Sequence, residues 1–193
     1  MMFFTDKNSP ERIRWNDAAS LLGLTQTHRR GSDWMQGEID EVAIQIFDLK
    51  DSPPLLFAEI DDELSRTIPR FSVQLSNATD PLFSDLAPAM TGDLIFDHHL
   101  RTFAQSPVRV LDFLTLERRN TIFALYDEVF LAAVTHEGLR AGLDLPDPWD
   151  AEVLAATVLR AASLTSQFFG LAPHQGLAPT TAARLGRYQT VSN

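Results

Sequence analysis

Between Glu128 and Leu145 the chain is apolar on both sides of a polar break at His136-Glu137-Gly138, a run that folds back on itself. A two-residue turn at Glu137-Gly138 sets Val134 opposite Ala141, Ala132 opposite Leu143 and Phe130 opposite Leu145, gathering the larger apolar residues on one face. Such a hairpin needs cover, and helical patterns on either side, at 106–127 and 147–169, are placed to provide it. Phe130, Val134 and Leu143 are therefore the expected core of the hairpin.

Upstream, Ser9-Pro10-Glu11 offers a capping hydroxyl and a proline at the first helical position, predicting a helix from Ser9 to Leu22 that Gly23 stops. The polar stretch from Thr25 to Trp34 reads as a connector. Glu41 to Leu49 places Val42, Ile44 and Ile46 on one side and Ala43, Phe47 and Leu49 on the other, the pattern of a central strand buried on both faces. Leu55 to Ile60 is a returning strand, and Thr67 to Leu75 a third, with Pro69 near its end. Residues 76–93 form a long loop held by Leu82, Phe83, Leu86 and Met90. Leu94 to Ala104 alternates as a strand, with His98 inward and Asp97, His99 and Arg101 outward.

Two helices are expected between Ser106 and Asp127, broken at Thr115, which is itself a capping residue. The segment Asp147-Pro148-Trp149-Asp150 opens the last helix. Between Ala151 and Phe169 that helix carries only Glu152 and Arg160 as charges. It is either covered on two sides within the chain or shared with a second copy, giving a homodimer through 147–169. Gly-Leu-Ala-Pro recurs at Gly170 and Gly176, ahead of a tail expected to be mobile.

These elements predict an α+β fold: an antiparallel sheet of about six strands with helices packed mainly on one face. The division is an N-terminal helix and connector (1–33), a single α+β domain (34–170) and a tail (171–193). A chain of 193 residues, 45% of them hydrophobic, is long enough to bury a core of its own.

Charge narrows the partners. The net charge is −10, and residues 33–63 hold ten acidic side chains against Lys50, a net of −9 for that stretch alone. An acidic chain without a basic patch argues against nucleic acid, and leaves a basic protein partner or a divalent cation as complements. The absence of cysteine excludes disulfides, thiolate metal sites and a cysteine nucleophile. The N-terminal residues lack the basic and apolar regions of a signal peptide, and no window approaches a membrane span, so a soluble, cytoplasmic protein is expected.

Catalytic motifs are few. There is no phosphate-cradling loop and no Gly-x-Ser-x-Gly elbow. His136-Glu137 begins like a zincin, but Arg140 stands where the second histidine belongs. Asp97, His99 and Arg101 on one strand face are the candidate binding group, with His99 oriented by the carboxylate. Glu59, Asp61, Asp62 and Glu63 form an acidic patch without the ligand spacing of an EF-hand. Trp15, Trp34 and Trp149 are candidates for an aromatic pocket. No cofactor and no metal site are expected.

Gly37-Glu38-Ile39 leading to a strand end at Phe47-Asp48, Ile68-Pro69-Arg70-Phe71, Gly92 to Asp97, the break at Phe113-Leu114-Thr115 and the strand pair into Trp149-Asp150 form an ordered set. From Trp34 to Phe169 this order resembles an uncharacterised bacterial soluble domain of unknown function that is sometimes attached to membrane helices. The resemblance implies a fold and supplies no catalytic residues, and this chain departs from it in having no spanning segment. The function expected is a non-catalytic protein-binding or assembly module with an acidic surface, able to self-associate. The alternative is an enzyme or small-ligand carrier with its site near Asp97 and His99 or under the 76–93 loop.

Overall fold

The computed structural model describes residues 9–29, 32–48, 53–78, 81–146 and 149–171. Along the chain these form α1 (Pro10–Leu22), β1 (Thr25–Arg29), β2 (Ser32–Ile39), β3 (Val42–Phe47), β4 (Leu55–Glu59) and α2 (Asp62–Thr67). Next come β5 (Phe71–Leu75), β6 (Ala87–Ala89), α3 (Leu94–His99), β7 (Leu100–Ala104) and α4 (Pro107–Phe113). The chain continues through α5 (Leu116–Glu128), β8 (Phe130–Thr135), β9 (Gly138–Gly142) and α6 (Ala151–Phe169). The strands make one nine-stranded sheet in the order β1-β2-β3-β4-β9-β8-β5-β7-β6. Every pairing is antiparallel.

The fold is thus α+β, with more strands than the six expected. The polar Thr25–Arg29 and the first half of Ser32–Ile39 pair as an edge hairpin rather than a connector, because an edge strand owes its place to backbone hydrogen bonds and needs little apolar patterning. The third addition is β6, three residues inside the 76–93 loop. Leu94–His99, expected as a strand, is a helical turn and a half. Asp93 caps it, its carboxylate accepting from the N–H groups of Ile95 and Phe96 at 3.1 Å.

Helix α6 explains most of the core. Asp150 caps its start, accepting from the Glu152 N–H at 2.7 Å, and Gly170 ends it in the left-handed region at φ 72°. Eleven of its nineteen residues are buried. It packs on β2, β3 and β4, with α1 and α5 alongside, so its two apolar sides are occupied within the chain. Trp15 of α1 is buried and meets Trp149 edge to face at 5.4 Å. Arg118 ties the helices together, donating from Nε to the Phe168 carbonyl at 2.9 Å and from a terminal nitrogen to the Phe113 carbonyl at 2.8 Å. Burial lowers its pKa from the ordinary arginine value, partly countered by Glu117. Residues 147–148 and the tail from 172 onward lie outside the described residues.

The β8–β9 hairpin keeps its partners but changes its register. The turn is His136–Glu137, so Val134 faces Leu139 and Thr135 faces Gly138. Gly138 is required there: its φ is 143°, and a Cβ would run into the carbonyl oxygen of Ala58 and the Cα of Glu59 on β4. Val134, Ala141 and Leu143 are buried as expected, and Leu139 is buried with them. Phe130 is not core. A bulge between Leu131 and Ala133 reverses the alternation, and Phe130 pairs with Gly142 and is 65% exposed. Likewise β3 buries only Val42, Ile44 and Ile46, while Ala43 and Gln45 are exposed, because no helix among the described residues packs on their side; Leu49 lies outside the described residues.

Leu139→Ala is expected to cost about 2–5 kcal/mol, Gly138→Ala about 3 kcal/mol or more, and Phe130→Ala less than about 1 kcal/mol. Urea denaturation of the three variants checks the order.

Candidate binding face of the sheet

Alternation along each strand sends one set of side chains to the helices and the other set to the opposite face. The register of that opposite face can be read across the sheet. Trp34 pairs with Phe47, Phe47 with Leu55, Leu55 with Gly142, and Gly142 with Phe130. One row across five strands is therefore apolar, with Trp34, Phe47 and Leu55 half-buried and Phe130 exposed. Gly142 lies against the Phe130 ring, and a Cβ there would make ordinary contact with it at 3.5 Å.

The next row, two residues along, is Gln36, Gln45, Phe57 and Arg140. Trp34 meets Phe47 at 6.0 Å between centroids, and Phe47 meets Phe57 at 5.5 Å, both edge to face. A hollow of about 200 Å³ lies beside Trp34, lined also by Gln36, Gln45 and Phe47. The indole N–H of Trp34 is enclosed and has no acceptor among the described residues. Arg140 sits over the Phe57 ring at 6.0 Å and is neutralised by Glu137 at 3.0 Å.

The third row is acidic: Glu38, Ala43 and Glu59, ending at Gly138. Around it cluster the β2–β3 turn, with Asp40 and Glu41, and the start of α2. Asp40 and Glu41 have φ of 52° and 64°, conformations that cost a side-chain-bearing residue about 1–2 kcal/mol each. Of the expected acidic patch, Glu59 points onto this face by register. Asp61 caps α2 through the N–H groups of Glu63 at 2.7 Å and Leu64 at 3.4 Å, and Asp62 and Glu63 lie in the first turn, where the helix dipole favours them. Among the described residues no three His, Cys, Asp or Glu side chains gather as a metal site.

Toward β5 the face is closed. Phe83 stacks against buried His136 at 5.3 Å, flanked by Arg70 at 5.7 Å and Arg140 at 5.8 Å, and Arg70 also pairs with Asp85. Ser72, Gln74, Phe103, Ala133 and Thr135 are buried at this end, and Gln74 donates to the Ser72 hydroxyl at 3.0 Å. The open part of the face thus spans β2, β3, β4 and β9, with Phe130 at its margin.

Asp97, His99 and Arg101 do not form a group. Asp97 accepts from the Thr91 N–H at 3.0 Å, the Thr91 hydroxyl at 2.9 Å and the Gly92 N–H at 3.0 Å, fixing the approach to α3. Arg101 donates to the Ala78 carbonyl at 2.8 Å. His98 and His99 are both exposed at the end of α3, their rings 4.9 Å apart rather than on opposite strand faces. His99 lines a cleft of about 420 Å³ with Ile95, Leu100, Phe123, Tyr126 and Asp127. Trp34 stands apart from Trp15 and Trp149, since its neighbour Met35 is the fully buried residue on the helix side. The residues missed in the sequence are Phe47, Leu55, Phe57 and Phe130. The alternation of 41–49 puts Phe47 on a second face expected to be buried, Phe130 is expected in the hairpin core, and Leu55 and Phe57 carry no expectation beyond a returning strand.

Sheet, one-sided helical cover and open face define an α+β domain whose unoccupied surface is a sheet face. A similar solved structure is the crystal structure of the mycobacterial trehalose monomycolate transport factor A, TtfA, with a TM-score of 0.53 and 14% identity over 83% of this chain and 92% of that chain. That likeness concerns the fold. No family model and no curated protein matches the chain.

Two outcomes separate structural from ligand-binding roles around α3. Asp97→Ala is expected to cost about 2 kcal/mol through three lost acceptor contacts, and His99→Ala less than about 0.5 kcal/mol, in urea denaturation. Asp93 supplies a pH test. The Phe96 N–H foremost, with Arg119 at 3.2 Å and the Ile95 N–H, holds its carboxyl below the usual range against the opposing effect of burial. A lowered folded pKa stabilises above the unfolded value and is lost as pH falls through the folded one. Asp93→Asn should therefore be less stable than wild type at neutral pH, with the difference shrinking in acid.

Proposed function

We propose that this chain is a non-catalytic protein-binding or assembly module of the cytoplasm that docks through the helix-free face of its sheet. The observation that carries this reading is the continuous row Trp34–Phe47–Leu55–Gly142–Phe130, an apolar strip across five strands that no helix among the described residues covers. Exposed apolar area of this kind has a cost in solubility that a docking partner removes. The acidic row beside it adds selectivity by charge. The mycobacterial protein is named for trehalose monomycolate transport; at 14% identity that cargo is not transferred to this chain. A homodimer through residues 147–169 remains a separate proposal with little apolar surface to use, since α1, α5 and the sheet occupy that helix.

A second reading has its own observation. Ile95 lines the His99 cleft and is exposed, as are Met90 and Leu94 nearby in the chain, which supports a small-ligand or enzyme site there. The two are separated by capture from a native extract with the full chain as bait. Phe130→Asp is expected to lose the captured partner at least about tenfold with an unchanged melting temperature, and His99→Ala to retain it. Retention by Phe130→Asp together with loss by His99→Ala would move the site to the cleft.

A further inference from the structure

We infer that the occupant of the open sheet face is a basic amphipathic α-helix of a partner protein, lying across the strands with its apolar stripe on the Trp34–Phe130 row and its cations against Glu38 and Glu59. This rests on the docking reading above and specifies the chemistry of the partner. The dimensions come first. The aromatic and acidic rows are four residues apart along each strand, about 13 Å, close to the 10–12 Å diameter of a helix with its side chains. From β2 to β8 the row crosses four strand spacings, about 19 Å, the length of about 13 helical residues. The trough between the rows is floored by Gln36, Gln45 and Phe57, and Arg140, its one cation among the described residues, is already paired with Glu137.

Charge decides the sign of the partner. Three of the five strands that carry the row, β2, β3 and β4, come from the acidic stretch 33–63, whose net charge is −9, and by register Glu38 and Glu59 of that stretch lie on this face. An apolar stripe bordered along one side by carboxylates is matched by a helix with an apolar stripe bordered by lysine or arginine. A membrane surface rich in anionic lipid would be repelled by the same carboxylates. An added strand would need a free sheet edge, and the row lies within the sheet.

Labelled 15-residue helical peptides test this on the full chain by fluorescence anisotropy, one with a leucine stripe flanked by lysines and one with glutamates in their place. The lysine peptide should bind in the micromolar range, at least about tenfold tighter than the glutamate peptide, and weaken with salt. Glu38→Lys with Glu59→Lys should reverse the preference, and Phe130→Ala should weaken the lysine peptide. If that double variant does not fold, Glu38→Gln with Glu59→Gln should abolish the preference instead. No preference between the peptides, or a preference unmoved by either pair of substitutions, overturns the basic-helix inference. Docking by this face is judged separately, by whether Phe130→Asp loses its partner from the extract. Dimerisation of the chain in sedimentation that Phe130→Asp abolishes would make the occupant a second copy, and binding to anionic vesicles as tight as to the lysine peptide would make it a lipid surface. Either result contradicts the inference.

Discussion

The structure depends on one imbalance: a broad sheet has two faces, and among the described residues the helices cover only one. Helix α6 is the means of that cover. Its nineteen residues carry two charges, and it can be so apolar because β2, β3 and β4 lie beneath it while α1 and α5 flank it. Each fully buried leucine or phenylalanine in such a layer contributes about 1.5–3 kcal/mol, so Leu154, Val158 and Phe168 together outweigh any surface ion pair in the chain. Nothing comparable is left for the other face. Phe83 closes it against His136, and among the described residues the part over β2, β3, β4 and β9 is open.

What the sequence showed follows from this arrangement. Elements with a strong local cause were legible, among them the Ser9-Pro10 start and Gly23 stop of α1, the break at Thr115 and the span of α6. Elements held by pairing alone were not, which is why the polar Thr25–Arg29 passed as a connector. Leu94–His99 illustrates the limit of periodicity, since six residues are too few to separate a period of two from one of 3.6 and the deciding contact is the Asp93 cap. Phe130 leaves the core through a bulge between Leu131 and Ala133, which has no signature in a run of leucine and alanine.

The same reasoning accounts for the site. Asp97, His99 and Arg101 converge only if residues 94–104 are extended, and the turn of helix at α3 sends them to separate tasks. Of the aromatic residues on this face only Phe47 sits in a stretch, 41–49, whose alternation is legible, and alternation reports only that two faces differ. Whether an apolar second face is buried or open depends on how many helices the chain has to spare, and that is a property of the whole fold. The cross-strand register then turns scattered residues into ordered rows, aromatic at one end and acidic at the other.

The central claim is that this open face is where the protein meets its partner. Hydroxyl-radical footprinting compares side-chain solvent access in the purified chain and in the complex formed in native extract. The account predicts that oxidation of Trp34, Phe47 and Phe130 falls in the complex while Met90, Leu94 and Ile95 are labelled as before. Protection of Met90, Leu94 and Ile95 with Phe130 unchanged would contradict it.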